Sequence, residues 1–508
     1  MMGFYEYLRK NGEEQPDKLA VVCSDKRKTY RELNEEIDKL AWGFRATGID
    51  QGSVVALVMK NSIEMVGCLF ALWKLGAVAA PLNFRETDEN IDLMLRISGA
   101  EYLICETSLE RRLPIAKSIS FIATDTGIGR RKACSLDKLK SGGKVWSGEP
   151  IDDDAELLYI FTSGTTGVPK AAVHTNAALT EFTFRCFEFG GLYSPDDVFL
   201  SYSPLFHIGG IRIMISNLVC GATLVLATSF APETIVETIR NERVTQMLVI
   251  PPSMVLRLRP LAEKSSTTLS SIRMIRVSGG LCTEQACATL FDCFGDVTLV
   301  NGYGSSESAI STFNIVSRDE YLKNPEIIRS VGKPLPGCEI KLMTKDGCQI
   351  TEPFAVGEAY GRCQYKFKRY KKLDGVEYPE EWFDTGDILS SDADGNYYFA
   401  GRKGDIIKTG GENVFSGEVE ATLLKHPAIA ECAVFRTAHE TLGEAISAAI
   451  VLKPGFVCNG KDIIEFCRDN MASYKKPIRI YFVNSLPKTA SGKIRKNFLE
   501  EMAANGDL

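Results

Sequence analysis

Apolar positions recur along this chain at two spacings, and their alternation sets the first expectation. Thr29 and Glu32 stand three apart, as in a capping box. Leu33, Ile37, Leu40, Ala41 and Phe44 then follow at helical intervals up to Gly48, which predicts an amphipathic helix over about 30–47. Residues 53–59 form a short apolar run of strand length. A helical pattern over 64–75 follows, then strand-length runs at 77–81 and 102–105. The rhythm returns after residue 155, with strands expected at 157–162, 223–227 and 246–250 and helices at 176–189 and 232–241. Short buried strands alternating with amphipathic helices predict parallel sheets covered by helices, with ligands at the carboxyl ends of strands.

Between 330 and 400 the pattern changes. Pro334, Pro336, Gly337, Gly347, Pro353, Gly357, Gly361, Gly375, Pro379, Gly386 and Gly395 punctuate short segments, which predicts a β-rich part. A boundary is expected near Gly401-Arg402-Lys403-Gly404-Asp405, leaving about a hundred residues for a small domain. The expected fold class is α/β. Residues 1–401 form a large domain of two helix-covered sheets plus the β-rich part, and 402–508 a small α/β domain.

Composition narrows the function classes. The 508 residues, 45% apolar and 24% charged, suit packed cores in two to four domains and exclude a fibre or a disordered tail. Lys and Arg number 59 against 65 Asp and Glu, a net of −6 that is opposite in sign to a general nucleic-acid binder, so no nucleic-acid partner is expected. That net divides into −8 for residues 1–401 and +2 for 402–508. Fifteen cysteines without CxxC pairs read as reduced, mostly buried thiols of a cytoplasmic protein. Charges scattered through the first fourteen residues leave no apolar run for an export signal, and Lys74 with two glycines interrupts the most apolar stretch, 65–82, so no transmembrane segment is expected.

The clearest chemistry lies in Phe161-Thr162-Ser163-Gly164-Thr165-Thr166-Gly167-Val168-Pro169-Lys170. Small residues let backbone N–H groups approach an anion, hydroxyls add donors, and Lys170 adds charge, so this is a phosphate cradle by composition. It is not a Walker A loop, because Val168 and Pro169 separate Gly167 from the lysine. The decapeptide resembles the signature loop of the adenylate-forming superfamily, which includes acyl-CoA synthetases. So, in order along the chain, do Pro204-Leu205-Phe206-His207-Ile208-Gly209-Gly210, Ser278-Gly279-Gly280, Asn301-Gly302-Tyr303-Gly304-Ser305-Ser306-Glu307, Trp382-Phe383-Asp384-Thr385-Gly386-Asp387, Gly401-Arg402 with Asp405, and Pro487-Lys488-Thr489-Ala490-Ser491-Gly492-Lys493.

The resemblance spans essentially the whole chain. It implies a mobile C-terminal domain and an enzyme that uses ATP and Mg²⁺ to convert a small-molecule carboxylic acid into an acyl-adenylate, then passes the acyl group to coenzyme A. A carrier-protein phosphopantetheine thiol is the alternative acceptor. By the same resemblance Lys493 is the catalytic lysine, between carboxylate and α-phosphate. His207 borders the acid pocket; it is not assigned as a general base, since a carboxylate is already ionised at neutral pH. Glu307 corresponds to the acid that holds Mg²⁺. Thr162 to Gly167 and Lys170 cradle phosphates; Asn301, Gly302, Gly304, Ser305 and Ser306 belong to the nucleotide site, with Ser306 where the family pattern has threonine. Tyr303 would stack on adenine beside Gly279 and Gly280, while Asp387 and Arg402 reach the ribose. Gly404 falls at the hinge, where Asp or Lys is usual. Gly410, Gly411 and Glu412 resemble the pantetheine-tunnel loop, and Tyr474, Lys475 and Lys476 fall where relatives contact CoA.

For the acid itself, the aligned pocket positions are Phe184, Ile208, Gly209 and Ile250 with Gly280, Gly302 and Gly304, an apolar set suited to a fatty, aryl or alicyclic acid. Arg212 could meet a second carboxylate, but it is expected to face solvent or to be ion-paired. His207 is the one histidine of four given a role. Lys366-Phe367-Lys368-Arg369-Tyr370-Lys371-Lys372, with five basic residues in seven, is expected to be a solvated strand edge. The oligomeric state stays open, a homodimer included.

Overall fold

The computed structural model describes residues 3–113, 119–124, 134–142, 150–163, 168–250, 252–264, 269–280, 282, 284–308, 310–488 and 494–508. Its helix Tyr30–Ala46 begins on the expected capping box: the Thr29 side chain accepts from the Glu32 N–H at 3.2 Å, and the Glu32 carboxylate accepts from the Thr29 N–H at 2.8 Å. Leu33, Ile37, Leu40, Ala41 and Phe44 are buried along one face of it. They join a core that draws on strands of two sheets, including Val55 and Leu57 from one and Val21 and Leu224 from the other. Helices Tyr30–Ala46, Ile63–Lys74 and Ile208–Cys220 contribute to that shared core.

Among the described residues one sheet has nine strands, with parallel pairs joining Val54–Val58 to Val78–Pro81 and to Tyr102–Cys105. The other is a continuous path of fourteen strands. Its parallel part runs through Val198–Ser201, Gln246–Val249, Met274–Val277 and Thr298–Gly304. The β-rich stretch does not stand apart, because Ser330–Pro334 pairs antiparallel with both Ser311–Val316 and Tyr397–Arg402 and so continues the same sheet. Tyr397–Arg402 is the last strand of this body in sequence. The strands from Ile406–Thr409 onward form a separate five-stranded sheet with its own core of Ile407, Val414, Val434, Ile446 and Ile450.

No disulfide links the fifteen cysteines, and only Cys348 is exposed. Among the described residues no helix is long and apolar enough to cross a membrane.

Candidate active site

The phosphate-cradle segment is a hairpin. Strands Glu156–Ser163 and Pro169–Thr175 pair antiparallel with Thr162 opposite Lys170, so the two flank residues 164–167, which lie outside the described residues. The Thr162 hydroxyl oxygen is buried with no hydrogen-bond partner among the described residues. Such an orphan at the mouth of a phosphate loop fits an anionic ligand.

Lys170 and Glu307 meet through a third residue that sequence reasoning missed. The Tyr370 hydroxyl donates to Glu307 Oε1 at 2.7 Å, and Lys170 Nζ stands 3.5 Å from the centre of the Tyr370 ring. Burial and the Glu307 carboxylate push the phenol pKa up, so it stays a proton donor. The Phe367 N–H also donates to the Glu307 carbonyl at 2.9 Å.

The expectation of a solvated edge at 366–372 is therefore corrected. Arg369–Lys372 is an inner strand between Pro169–Thr175 and Gly375–Glu377. Phe367 and Tyr370 are buried against Phe383. Each basic side chain has an internal partner: Lys366 with the Glu380 and Glu381 carbonyls, Lys368 with Asp154, Arg369 with Glu156, Lys371 with the Ser98 carbonyl and Lys372 with Glu377.

The nucleoside end is equally constrained. Asp387 is only 2% exposed; its Oδ2 accepts from the Tyr303 hydroxyl at 2.5 Å, and its Oδ1 pairs with Arg402 Nε at 3.0 Å. Each carboxylate oxygen keeps acceptor capacity for a ribose hydroxyl. Tyr303 leans on Phe399, with ring centres 5.9 Å apart. Gly279 has a φ of +74°, and a Cβ there would lie 2.8 Å from Ile250 Cγ2, so the backbone approach between these two strand ends requires glycine. The Asn301 amide donates to the Ile328 and Ser330 carbonyls at 3.0 and 2.8 Å and ties down the neighbouring segment.

On the acid side, His207 caps helix Ile208–Cys220 and packs on Phe206, ring centres 4.7 Å apart. Among the described residues nothing lies within 4 Å of where a Cβ on Gly209 would be, which leaves open space at this turn. Phe184 turns toward Tyr7 and Phe187, while Phe182 of the same helix packs under Arg212. The expectation that Arg212 faces solvent or an ion-pair partner does not hold. It is 8% exposed, with its guanidinium carbon 3.5 Å from the Phe182 ring centre. His174, given no role from sequence, is wholly buried, and burial and Arg212 push its pKa down to about 3.

In the small domain, Gly410 and Gly411 form the two-residue turn between Ile406–Thr409 and Glu412–Phe415, with φ of +58° and +87°, where paired left-handed residues favour glycine. Tyr474 is exposed beside Lys475, which pairs with Glu418 at 2.6 Å, and Lys476 donates to the Ser473 carbonyl at 2.9 Å. Gly404 stands between two anchors. Lys403 pairs with Glu358 and Asp384 at 2.6 and 2.7 Å, and Asp405 lies 3.9 Å from Lys496. Lys493 lies outside the described residues. The ends of its segment are joined by a bridge between Lys488 and Ile494, and Lys488 pairs with Glu431 at 2.6 Å.

Glu307 is a hard oxygen donor beside the phosphate hairpin. It suits Mg²⁺, which is commonly held by one or two carboxylates plus substrate phosphates. Among the described residues no cluster of three or more His, Cys, Asp or Glu side chains offers a fully protein-ligated metal site.

A carboxylate clamped by a phenol and a guanidinium, with Glu307 in the turn that follows the strand carrying that phenol, suits a nucleotide-using α/β enzyme. The chain belongs to the AMP-binding enzyme family, which it matches over residues 8–371, with the AMP-binding enzyme C-terminal domain matched over 418–493. Within this adenylate-forming group it is an ATP-dependent, AMP-forming acid:CoA ligase. It is 29% identical over 512 residues to the indoleacetate–CoA ligase of Aromatoleum aromaticum, covering 99% of this chain and 98% of the relative. An anthranilate CoA ligase, AuaEII, solved with anthranoyl-AMP, superposes with a TM-score of 0.86 at 25% identity over 100% of this chain and 98% of that one. The O-succinylbenzoate CoA synthetase MenE of Bacillus subtilis, solved with ATP and magnesium, gives 0.79 at 26% identity over 97% and 98%.

Proposed function

We propose that this ligase activates an aromatic carboxylic acid, and that the residues brought together above divide its two half-reactions. The support for an aromatic acid is the kind of acid named for the relatives, indoleacetate and anthranilate, together with the open, apolar first turn at Ile208 and Gly209.

In the first half-reaction a carboxylate oxygen of the acid bonds to the α-phosphorus of ATP. The bond from that phosphorus to its bridging oxygen breaks, and pyrophosphate leaves with the electron pair. The hairpin ending in Lys170 holds the phosphates, and Lys493 offsets charge between carboxylate and α-phosphate. Asp387 accepts from the ribose hydroxyls, kept in place by Tyr303 and Arg402. Glu307 would hold Mg²⁺, which supplies charge neutralisation at the phosphates. His207 shapes the pocket and moves no proton, because the acid arrives ionised.

In the second half-reaction the CoA sulfur bonds to the acyl carbon, AMP departs with the acyl C–O electron pair, and the thiol proton goes to solvent. Gly410, Gly411 and Glu412 border the pantetheine arm, with Tyr474, Lys475 and Lys476 toward the nucleotide end. The small domain pivots at Gly404.

The observation that carries this reading is the linked set Lys170, Tyr370 and Glu307, which joins the phosphate hairpin to the metal carboxylate. The experiment is acid-dependent ATP–pyrophosphate exchange over aromatic, alicyclic and aliphatic acids, followed by thioester formation with CoA and with a phosphopantetheinyl carrier protein. Exchange and thioester formation with aromatic acids and CoA are expected. Exchange restricted to aliphatic acids would remove the aromatic assignment, and acyl transfer to the carrier in preference to CoA would replace the acceptor.

A further inference from the structure

Arg212 is a buried cation with no carboxylate partner among the described residues. Neither Nε nor Nη2 has a hydrogen-bond partner among the described residues. Its titratable neighbours are two thiols and two phenols, Cys186, Cys363, Tyr365 and Tyr193, with no carboxylate among them. Burial pushes Cys186 up to about 12 and raises Tyr193 and Tyr365; the hydrogen bond with Cys363 and burial raise Cys338, while the Cys363 thiol, although buried, is lowered by its bonds from Cys338 and Tyr365 and by Arg212. The remaining neighbour, His174, stays neutral. Burial lowers Arg212 itself only to about 10, so it is charged at neutral pH. The Phe182 ring recovers part of the desolvation cost, but arginine is almost never this buried without a carboxylate partner.

The vacant edge has a specific shape. Nε and Nη2 lie on one side of the guanidinium, the edge that grips a carboxylate with two parallel hydrogen bonds. Arg273 uses this edge on Asp197 at 2.7 and 2.6 Å, and Arg369 uses it on Glu156 at 2.9 and 2.8 Å. In Arg212 alone of these three it meets nothing.

Its position points to the acid. Arg212 follows Gly209 by three residues and Ile208 by four, so it shares their side of the helix. That side opens at Gly209, whereas Gly210 is closed off, its Cβ position only 2.3 Å from the Pro204 carbonyl oxygen. His174, close enough to feel the Arg212 charge, lies against the backbone of Ser306 in the loop that carries Glu307.

We infer that Arg212 is the receptor for a second carboxylate and that the preferred substrate is therefore a dicarboxylic acid, one carboxylate going to the α-phosphorus and the other to the Nε–Nη2 edge. This rests on the ligase reading and deepens it.

The test compares benzene dicarboxylates and phenylene diacetates with their neutral half-amides in ATP–pyrophosphate exchange. A charge-assisted pair predicts kcat/KM for the best diacid above its half-amide by roughly tenfold to a hundredfold. Arg212→Gln should bring that ratio close to one by raising KM for the diacid, with unchanged AMP affinity reporting an intact fold. Arg212→Lys, which keeps charge without the fork, should fall between and serves if the glutamine variant does not fold. Equal use of diacid and half-amide by the unaltered enzyme, or a ratio that survives Arg212→Gln, overturns the inference while leaving the ligase reading in place. Should no acid support exchange, the ligase reading fails instead, and thermal shift with each acid pair in the presence of AMP then reads the subsite separately. Stabilisation by diacids alone sustains the inference, and stabilisation by neither member of any pair overturns it.

Discussion

At the scale of single residues, the Tyr370 hydroxyl is the least expected participant. It donates to Glu307 Oε1, the position an outer partner would take toward the metal carboxylate we propose. Tyr370→Phe should raise the Mg²⁺ concentration needed for half-maximal exchange by roughly tenfold to a hundredfold while saturating Mg²⁺ restores most of kcat. An unchanged Mg²⁺ requirement would reduce the hydroxyl to packing. His174 carries a pH prediction. Its pKa falls from 6.5 to about 3 on folding, so the unfolded chain takes up the proton first as pH drops. The stability it contributes is complete above about 6.5 and is lost as pH falls toward about 3. Between pH 7 and 5 urea unfolding should show the unaltered protein losing about 2 kcal/mol more than His174→Leu; parallel losses would contradict the assignment. The motif residues themselves could be found in sequence because each belongs to a contiguous run. Tyr370 and His174 could not, since their importance comes from strands pairing across the sheet, Tyr370 opposite Ala172 and His174 opposite Leu158 in the hairpin beside it.

At the scale of elements, periodicity read the helices and parallel strands closely: Tyr30–Ala46, Tyr102–Cys105 and Pro232–Asn241 lie where the spacing puts them. It failed at 366–372, where a count of basic residues outweighed the apolar positions at Phe367 and Tyr370 between them. Composition records how many charges a strand carries, not that each has a partner across the sheet. We propose the turn at Gly404 as the pivot for the second half-reaction, with Lys403 paired to Glu358 and Asp384 on one side and Asp405 beside Lys496 on the other. Proline fixes φ and would stiffen this pivot. Gly404→Pro should therefore retain pyrophosphate exchange and slow thioester formation by at least about tenfold. Equal rates in both steps would remove Gly404 as the pivot.

At the scale of the whole molecule, the two parts have unequal charge, −8 for residues 1–401 and +2 for 402–508, and the basic one carries Lys493, which we propose stands between two anions. Lys493→Ala should slow adenylate formation by roughly a hundredfold to a thousandfold yet spare thioester formation from a preformed acyl-adenylate. Equal losses in both steps would mean the lysine acts through structure. In the sequence the expected boundary between the two parts falls in a glycine- and charge-rich run. The sequence did not reveal that the β-rich stretch continues the fourteen-stranded sheet, since strand pairing across Ser330–Pro334 leaves no local signature. The central claim, one chain running both adenylation and thioester formation, is tested most directly by rapid quench of enzyme, Mg²⁺ and α-labelled ATP with an accepted acid, before and after CoA is added. The account predicts acyl-adenylate and pyrophosphate without CoA, and AMP with an equal amount of acyl-CoA after its addition. Label recovered as ADP, or an adenylate that CoA does not discharge, would contradict it.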